Sequence, residues 1–308
     1  MNLAAAFGSL VGVGASTLVS VKLGQKDYEG ANKVLGNVLV LNVVLGLAFT
    51  LVFMLLLDPI LYFFGASENT ILYARDYMNV ILIGNVITHM YLGLNAVLRS
   101  SGFPKLAMYA TLASVVINCV LNPLFIFGFG WGIKGSAWAT VISQVISLTG
   151  QLIHFSRPKE LLHFKKGIYR LKSEIVKGIL YIGMSPFLMN LCACLIVILI
   201  NRGLKEHGGD MAIGAYGIVN RVVFLFIMII MGFNQGMQPI AGYNFGARQY
   251  SRVTEVTKLT MKWAIGVATT GFLLCQLFPS VIVRMFTTDP ELIEAAVYGL
   301  HIVFAVFP

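Results

Sequence analysis

The chain has 308 residues, 57% of them hydrophobic and 11% charged, with a mean hydropathy of +0.82. Soluble domains carry about 25% charged residues, so this chain cannot clothe a water-facing surface and reads as an all-α polytopic membrane protein. Its formal charge of +9 does not indicate a nucleic-acid partner, because Lys and Arg fall between apolar runs instead of gathering on one soluble face.

The N-terminus has no basic stretch before its apolar residues and leads straight into a second apolar run, so it is not a signal peptide. With about 20 apolar residues needed to cross a bilayer, nine runs can be marked. They are 1–21, 34–57, 77–98, 106–128, 135–154, 175–200, 211–238, 257–283 and 292–308. Glycines recur inside them (Gly84, Gly93, Gly214, Gly217, Gly232, Gly236), as expected where helices approach closely in lipid. Cys119, Cys192, Cys194 and Cys275 all lie within apolar runs and read as small core residues. The Cys192-Ala-Cys194 spacing fits neither a zinc site nor a redox pair.

The connections alternate in charge. Sixteen basic residues fall on the side that holds the 22–33 turn and five on the other (Arg75, Lys134, Arg202, Lys205, Arg284), with Arg221 inside a span. The positive-inside rule makes the richer side cytoplasmic, in the plasma membrane. The longest basic connection, Arg157 to Lys177, reads as a linker whose basic residues, with His154 and His163, lie at the lipid headgroups. It divides the chain into a first lobe over 1–156, a linker over 157–174 and a second lobe over 175–308.

An internal echo supports that division. Shifting the chain by 222 residues places Gly14 on Gly236, Gly24 on Gly246, Tyr28 on Tyr250, Phe64 on Phe286, Ile71 on Ile293 and Ala74 on Ala296. The shift crosses six runs, an even number, so the repeats share an orientation and relate by an axis along the membrane normal. Two six-helix halves would then need about 50 further residues before Met1 and about 80 after Pro308.

Two motifs point to a family. Gly236-Met-Gln-Pro-Ile-Ala-Gly-Tyr-Asn-Phe-Gly-Ala247 resembles the multidrug and toxic compound extrusion (MATE) transporters. So does Asn118-Cys-Val-Leu-Asn122-Pro-Leu-Phe-Ile-Phe127 followed by Gly132-Ile-Lys-Gly-Ser-Ala-Trp-Ala-Thr140. The turn Gly24-Gln-Lys-Asp-Tyr28, Arg99-Ser-Ser-Gly-Phe-Pro104 and Ile182-Gly-Met-Ser-Pro186 stand where that family has them. The resemblance implies a twelve-helix, two-lobe bundle of which about nine helices are present here. It also implies efflux of organic, often cationic, compounds in exchange for H+ or Na+ by a monomer in the bilayer, with no cofactor.

Candidate site residues follow from what a membrane interior tolerates. All thirteen acids lie in connections or within about a turn of a helix end, so no run has a carboxylate at mid-depth. The resemblance implies a first-lobe cation site with an aspartate on a helix preceding this sequence and often a second acid where Asn122 stands. Asparagine offers a carbonyl oxygen but takes up no proton near neutral pH. Asn118 and Asn122 share one helical face and are candidates for cation coupling or cavity lining, against a purely structural role as interhelical hydrogen-bond partners. His89 and Asn95 join that set, on a polar stripe that includes Asn85; His89 could titrate or could be a satisfied core histidine. Substrate-cavity candidates are Met184, Met189, Asn190, Asn220, Arg221, Gln235 and Gln238. The methionines offer adaptable apolar surface, and Arg221 lies about ten residues, roughly 15 Å, into its run. Pro186 is expected to bend its helix, and Pro186, Gly236 and Pro239 are the gate or hinge candidates.

An intramembrane enzyme would need His, Asp, Glu or Cys at metal or dyad spacing in mid-span, and none is found. A lipid-linked precursor flippase is the alternative within transport. It calls for a cationic cavity, and only Arg221 is deep.

Overall fold

The computed structural model describes residues 2–63, Glu68 and residues 70–306; within that range the side chains of 2–6, 63, 201–202, 205–208 and 210 are left aside. The regular elements among the described residues are all helices: α1 (Asn2–Gly24), α2 (Tyr28–Leu55), α3 (Leu57–Phe63), α4 (Ile71–Ile83), α5 (Asn85–Ser100), α6 (Pro104–Pro123), a π-helical turn (Leu124–Gly128), α7 (Gly132–Phe155), α8 (Ser173–Gly246), α9 (Tyr250–Leu277), α10 (Pro279–Arg284) and α11 (Pro290–Ala305). Five segments, or six if α4 and α5 make one bent span, are long and apolar enough to cross a membrane. α8 is two helices joined at Gly209, whose φ of 62° and ψ of −161° no helix accommodates. The run predicted over 77–98 is broken at Gly84, where α4 and α5 meet at 54°. A side chain there would drive into Val141 on α7, 2.4 Å from its Cγ2.

The 222-residue echo is a structural repeat. α1 ends at Gly24 and α8 at Gly246; α2 and α9 are both 28 residues long, starting at Tyr28 and Tyr250. The turns between them share two backbone hydrogen bonds at equivalent positions. Gln25 N donates to Val21 O and Lys26 N to Leu23 O, while Ala247 N donates to Tyr243 O and Arg248 N to Phe245 O. Lys26 (φ 61°) and Arg248 (φ 60°) are the two non-glycine residues with positive φ among those described, and they too stand 222 apart. α3 and α10 begin at Leu57 and Pro279, again 222 apart. Phe64, one of the residues matched in the sequence, lies outside the described residues.

The chain falls into two compact units, Met1–Leu191 with Gly242–Arg248, and Cys192–Ala241 with Gln249–Pro308. In the first, α1 makes close backbone contacts at its middle and at its C-terminal end. A Cβ on Gly14 would sit 2.0 Å from Ile179 O, and one on Gly183 would sit 1.7 Å from Leu10 O. At the C-terminal end a Cβ on Gly24 would lie 2.0 Å from Tyr243 O, and one on Gly246 would lie 2.1 Å from Val21 O. Since Val21 and Gly24 correspond to Tyr243 and Gly246, this contact is reciprocal in the way a two-fold interface is.

The basic linker is a strap bound to the first unit. Asn32 on α2 donates to Leu161 O (3.2 Å) and accepts from His163 N (3.0 Å). Asn37, one and a half turns on, donates to Ile168 O and Arg170 O and accepts from Lys172 N. Between them Gly36 admits the Ile168 carbonyl, which would lie 2.3 Å from a Cβ. Leu162 and Ile168 are buried in the same seam.

The α1–α2 turn carries its own cap. Asp27 accepts from Gly30 N (2.8 Å) and from Lys22 Nζ (2.9 Å). The Lys22 ammonium, followed by the Gly30 amide, holds the Asp27 carboxyl below its ordinary value. A lowered pKa stabilises the fold above the ordinary carboxylate range and ceases to do so as pH falls through the lowered value. Asp27→Ala is therefore expected to cost ~1 kcal/mol near neutrality. The difference from wild type should shrink below about pH 4, as read by thermal unfolding at stepped pH.

Candidate functional site

In the first unit the sequence candidates separate into three environments. Asn118 and Asn122 lie on α6, six and two residues before the π-helical segment. Asn118 Nδ2 donates to Thr140 Oγ1 on α7 (3.2 Å), and that hydroxyl donates to Ser136 O (3.1 Å). Asn122 Oδ1 is buried and has no hydrogen-bond partner. A buried acceptor left unmatched costs about 1–3 kcal/mol, so this oxygen is suited to receive a water, a donor group of a ligand or a small cation. α7 presses on the same segment: a Cβ on Gly135 would lie 2.9 Å from Phe125 C and O. π-helical turns within α-helices occur frequently at functional sites. Thr140 and Gly135 are the residues of this corner that the spacing of polar residues did not single out.

His89 and Asn95 are elsewhere. His89 is fully buried on α5; its Nδ1 meets Asn85 O at 2.9 Å, its Nε2 is unmatched, and its ring lies 6.0 Å from that of Phe49. Asn42, packed against Gly93 one turn along α5, is also buried with both amide atoms unmatched. Asn95 Nδ2 donates to Ala107 O (2.9 Å) and Thr111 Oγ1 (3.3 Å), and its Oδ1 accepts from Arg99 Nη1 (2.6 Å). Those bonds tie α5 to α6 across their turn. The third environment is the start of α8, where Met184 and Met189 are exposed. The backbone keeps helical φ/ψ through Pro186, and Asn190 Nδ2 donates to the Pro186 carbonyl (2.8 Å).

In the second unit Arg221, Phe224, Met228, Met231, Gln235 and Gln238 recur at three- and four-residue steps, so they share one face of α8. The first five are exposed and Gln238 is half-buried. The buried stripe Ala215, Ile218, Val222 and Phe226 lies beside it and packs on Ala296, Leu300 and Phe304. The exposed face therefore has polar ends and a centre of two methionines and a phenylalanine. Asn220 is half-buried, and Pro239 follows Gln238 in the same helix. Gly236 faces open space, with nothing within 4 Å of a Cβ. His301 was not singled out by sequence reasoning: its Nδ1 meets Gln276 Oε1 at 2.5 Å, and Gln276 Nε2 donates to His301 O at 2.9 Å, joining α9 to α11.

The MatE family pattern matches residues 1–124 and 182–308, well over half of the sequence. The chain belongs to the MatE family. MatE membership and the apolar helices make it a multi-pass membrane protein, and no enzyme. Among curated relatives, the multidrug export protein MepA of Staphylococcus aureus (strain N315) is 32% identical over 302 residues, covering 97% of this chain and 66% of MepA. MepA of Staphylococcus haemolyticus (strain JCSC1435) is 31% identical over 301 residues, covering 96% and 65%. The chain thus spans about two thirds, 65–66%, of these relatives. Among solved structures, an outward-facing multidrug resistance MATE transporter of the MOP superfamily aligns with a TM-score of 0.92 at 24% identity, covering 98% of this chain and 68% of that one. A MATE protein in a bent conformation aligns at 0.89, also at 24% identity, covering 97% and 66%. These likenesses establish the MATE fold expected from the motifs.

Proposed function

We propose that the protein is a secondary active multidrug exporter. It moves organic, often cationic, compounds outward in exchange for H+ or Na+, as a monomer in the plasma membrane with its basic connections in the cytoplasm. The similarity to the multidrug export protein MepA carries this reading. Two lobes, over 1–156 and 175–308 with the linker 157–174 between them, alternate access to a shared path. The methionine-rich face from Arg221 to Gln238, together with Met184, Met189 and Asn190, offers the deformable apolar surface that promiscuous recognition uses. Coupling is assigned to the α6 corner, where the unmatched Asn122 oxygen and the Asn118–Thr140 pair offer neutral oxygen ligands. His89 is the protonatable alternative. A precursor flippase is disfavoured because Arg221 has no deep cationic neighbour among the described residues.

Replacing Asn122 with Leu in the full-length protein is expected to abolish ethidium efflux from expressing cells at unchanged expression. Asn118→Leu should behave in the same way. Wild-type efflux by both variants would remove the α6 corner from the mechanism.

A further inference from the structure

A cleft of about 500 Å³ opens where the α5–α6 turn meets the end of α7. It is lined by Phe103, Lys105, Tyr109, His154, Arg157 and Glu160, together with backbone of the turn. Its inner wall is built. His154 is 6% exposed and stands edge-on to Phe103 with ring centroids 4.6 Å apart. Glu160, the one acid, lies 4.0 Å from His154 Nδ1 and is half-buried. The two full cations are exposed, and among the described residues neither Lys105 nor Arg157 has an ion-pair or side-chain hydrogen-bond partner. Three other basic residues on the same side are engaged: Lys22 is paired with Asp27, Lys33 with Glu29, and Arg99 is held by Asn95.

The cleft also continues into an apolar surface. Tyr109 belongs to it and begins the exposed row Tyr109, Leu112, Val116 and Val120 along α6. Such a row faces hydrocarbon, and a tyrosine at its head sits where aromatic residues mark the interface. A ligand that fits must present an anionic group to Lys105 and Arg157 and an apolar tail to α6. Guanidinium and ammonium groups pair well with a phosphate oxygen.

We propose that this cleft binds an anionic phospholipid of the leaflet on the basic side, its phosphodiester between Lys105 and Arg157 and its acyl chains along the Tyr109–Val120 row. Nothing in this assignment depends on the transported compound or the coupling ion.

The test is native mass spectrometry of the purified full-length protein with phosphatidylglycerol, phosphatidylcholine and inorganic phosphate. Phosphatidylglycerol should be retained over phosphatidylcholine, and inorganic phosphate in the millimolar range should not displace it. Removing two basic groups beside an anionic lipid should weaken its retention about thirtyfold in the Lys105→Gln/Arg157→Gln variant. Arg157→Lys should restore most of it, and Lys165→Gln/Lys166→Gln, on the strap, should leave it unchanged. Equal retention of the two lipids, wild-type retention by the double variant, or equal loss in the strap variant would each overturn the proposal. Displacement by phosphate would reassign the cleft to a free anion and overturn it as well.

Discussion

Gly24→Val and Gly246→Val are each expected to force the end of α1 away from Gly242–Arg248. The added Cβ would meet a backbone carbonyl oxygen at 2.0 Å in one case and 2.1 Å in the other. Backbone oxygens have no rotamer to vacate the space, so the helices must separate. Overpacking of this kind costs about 1–3 kcal/mol or more. The direct readout is cross-linking of a Val21→Cys/Tyr243→Cys pair in an otherwise cysteine-free protein. It should form readily in the glycine background and fall sharply when either glycine is replaced. Because the contact is reciprocal, the two substitutions should give nearly equal losses. Undiminished cross-linking in both variants would show that the helices do not meet there.

The second large effect concerns the strap. Five hydrogen bonds run between the side chains of Asn32 and Asn37 and the backbone of 161–172. With a net worth of about 0.5–1.5 kcal/mol each, their joint loss in Asn32→Ala/Asn37→Ala should weaken the strap locally by about 2.5–7.5 kcal/mol. Hydrogen exchange should then accelerate at the amides of His163 and Lys172, which the asparagines hold, and at the neighbouring amides of the strap. Exchange in α5 and α7 should change little. Protection of His163 and Lys172 equal to wild type would mean that burial of Leu162 and Ile168 suffices without the asparagines.

The repeat was legible because its contact points require glycine. At Gly24 and Gly246 a carbonyl of the other helix occupies the place of a side chain, so the residue type itself marks the position. The turns that follow were less legible. Lys26 and Arg248 adopt positive φ, yet nothing in a lysine or an arginine announces the left-handed region, which ordinarily favours glycine or asparagine. The strap was read as a basic loop at the headgroups. Its attachment rests on side chain-to-backbone bonds between residues 129 to 135 positions apart, and carbonyls carry no sequence signature. Gly84 looked like one more packing glycine in a continuous run, and only its closeness to Val141 shows why the helix breaks there. Among candidate residues, the α6 face of Asn118 and Asn122 was visible from their spacing. The state of each amide was not, because Thr140 lies on a different helix. Asn95, chosen from the same kind of spacing as His89, is fully used in joining two helices.

The most direct measurement is gradient-driven transport by the full-length protein in sealed vesicles. Ethidium movement should be driven by an imposed proton or sodium gradient, cease when that gradient is collapsed, and be lost in Asn122→Leu. Ethidium movement indifferent to both gradients, or none at all from correctly folded and oriented protein, would contradict the account.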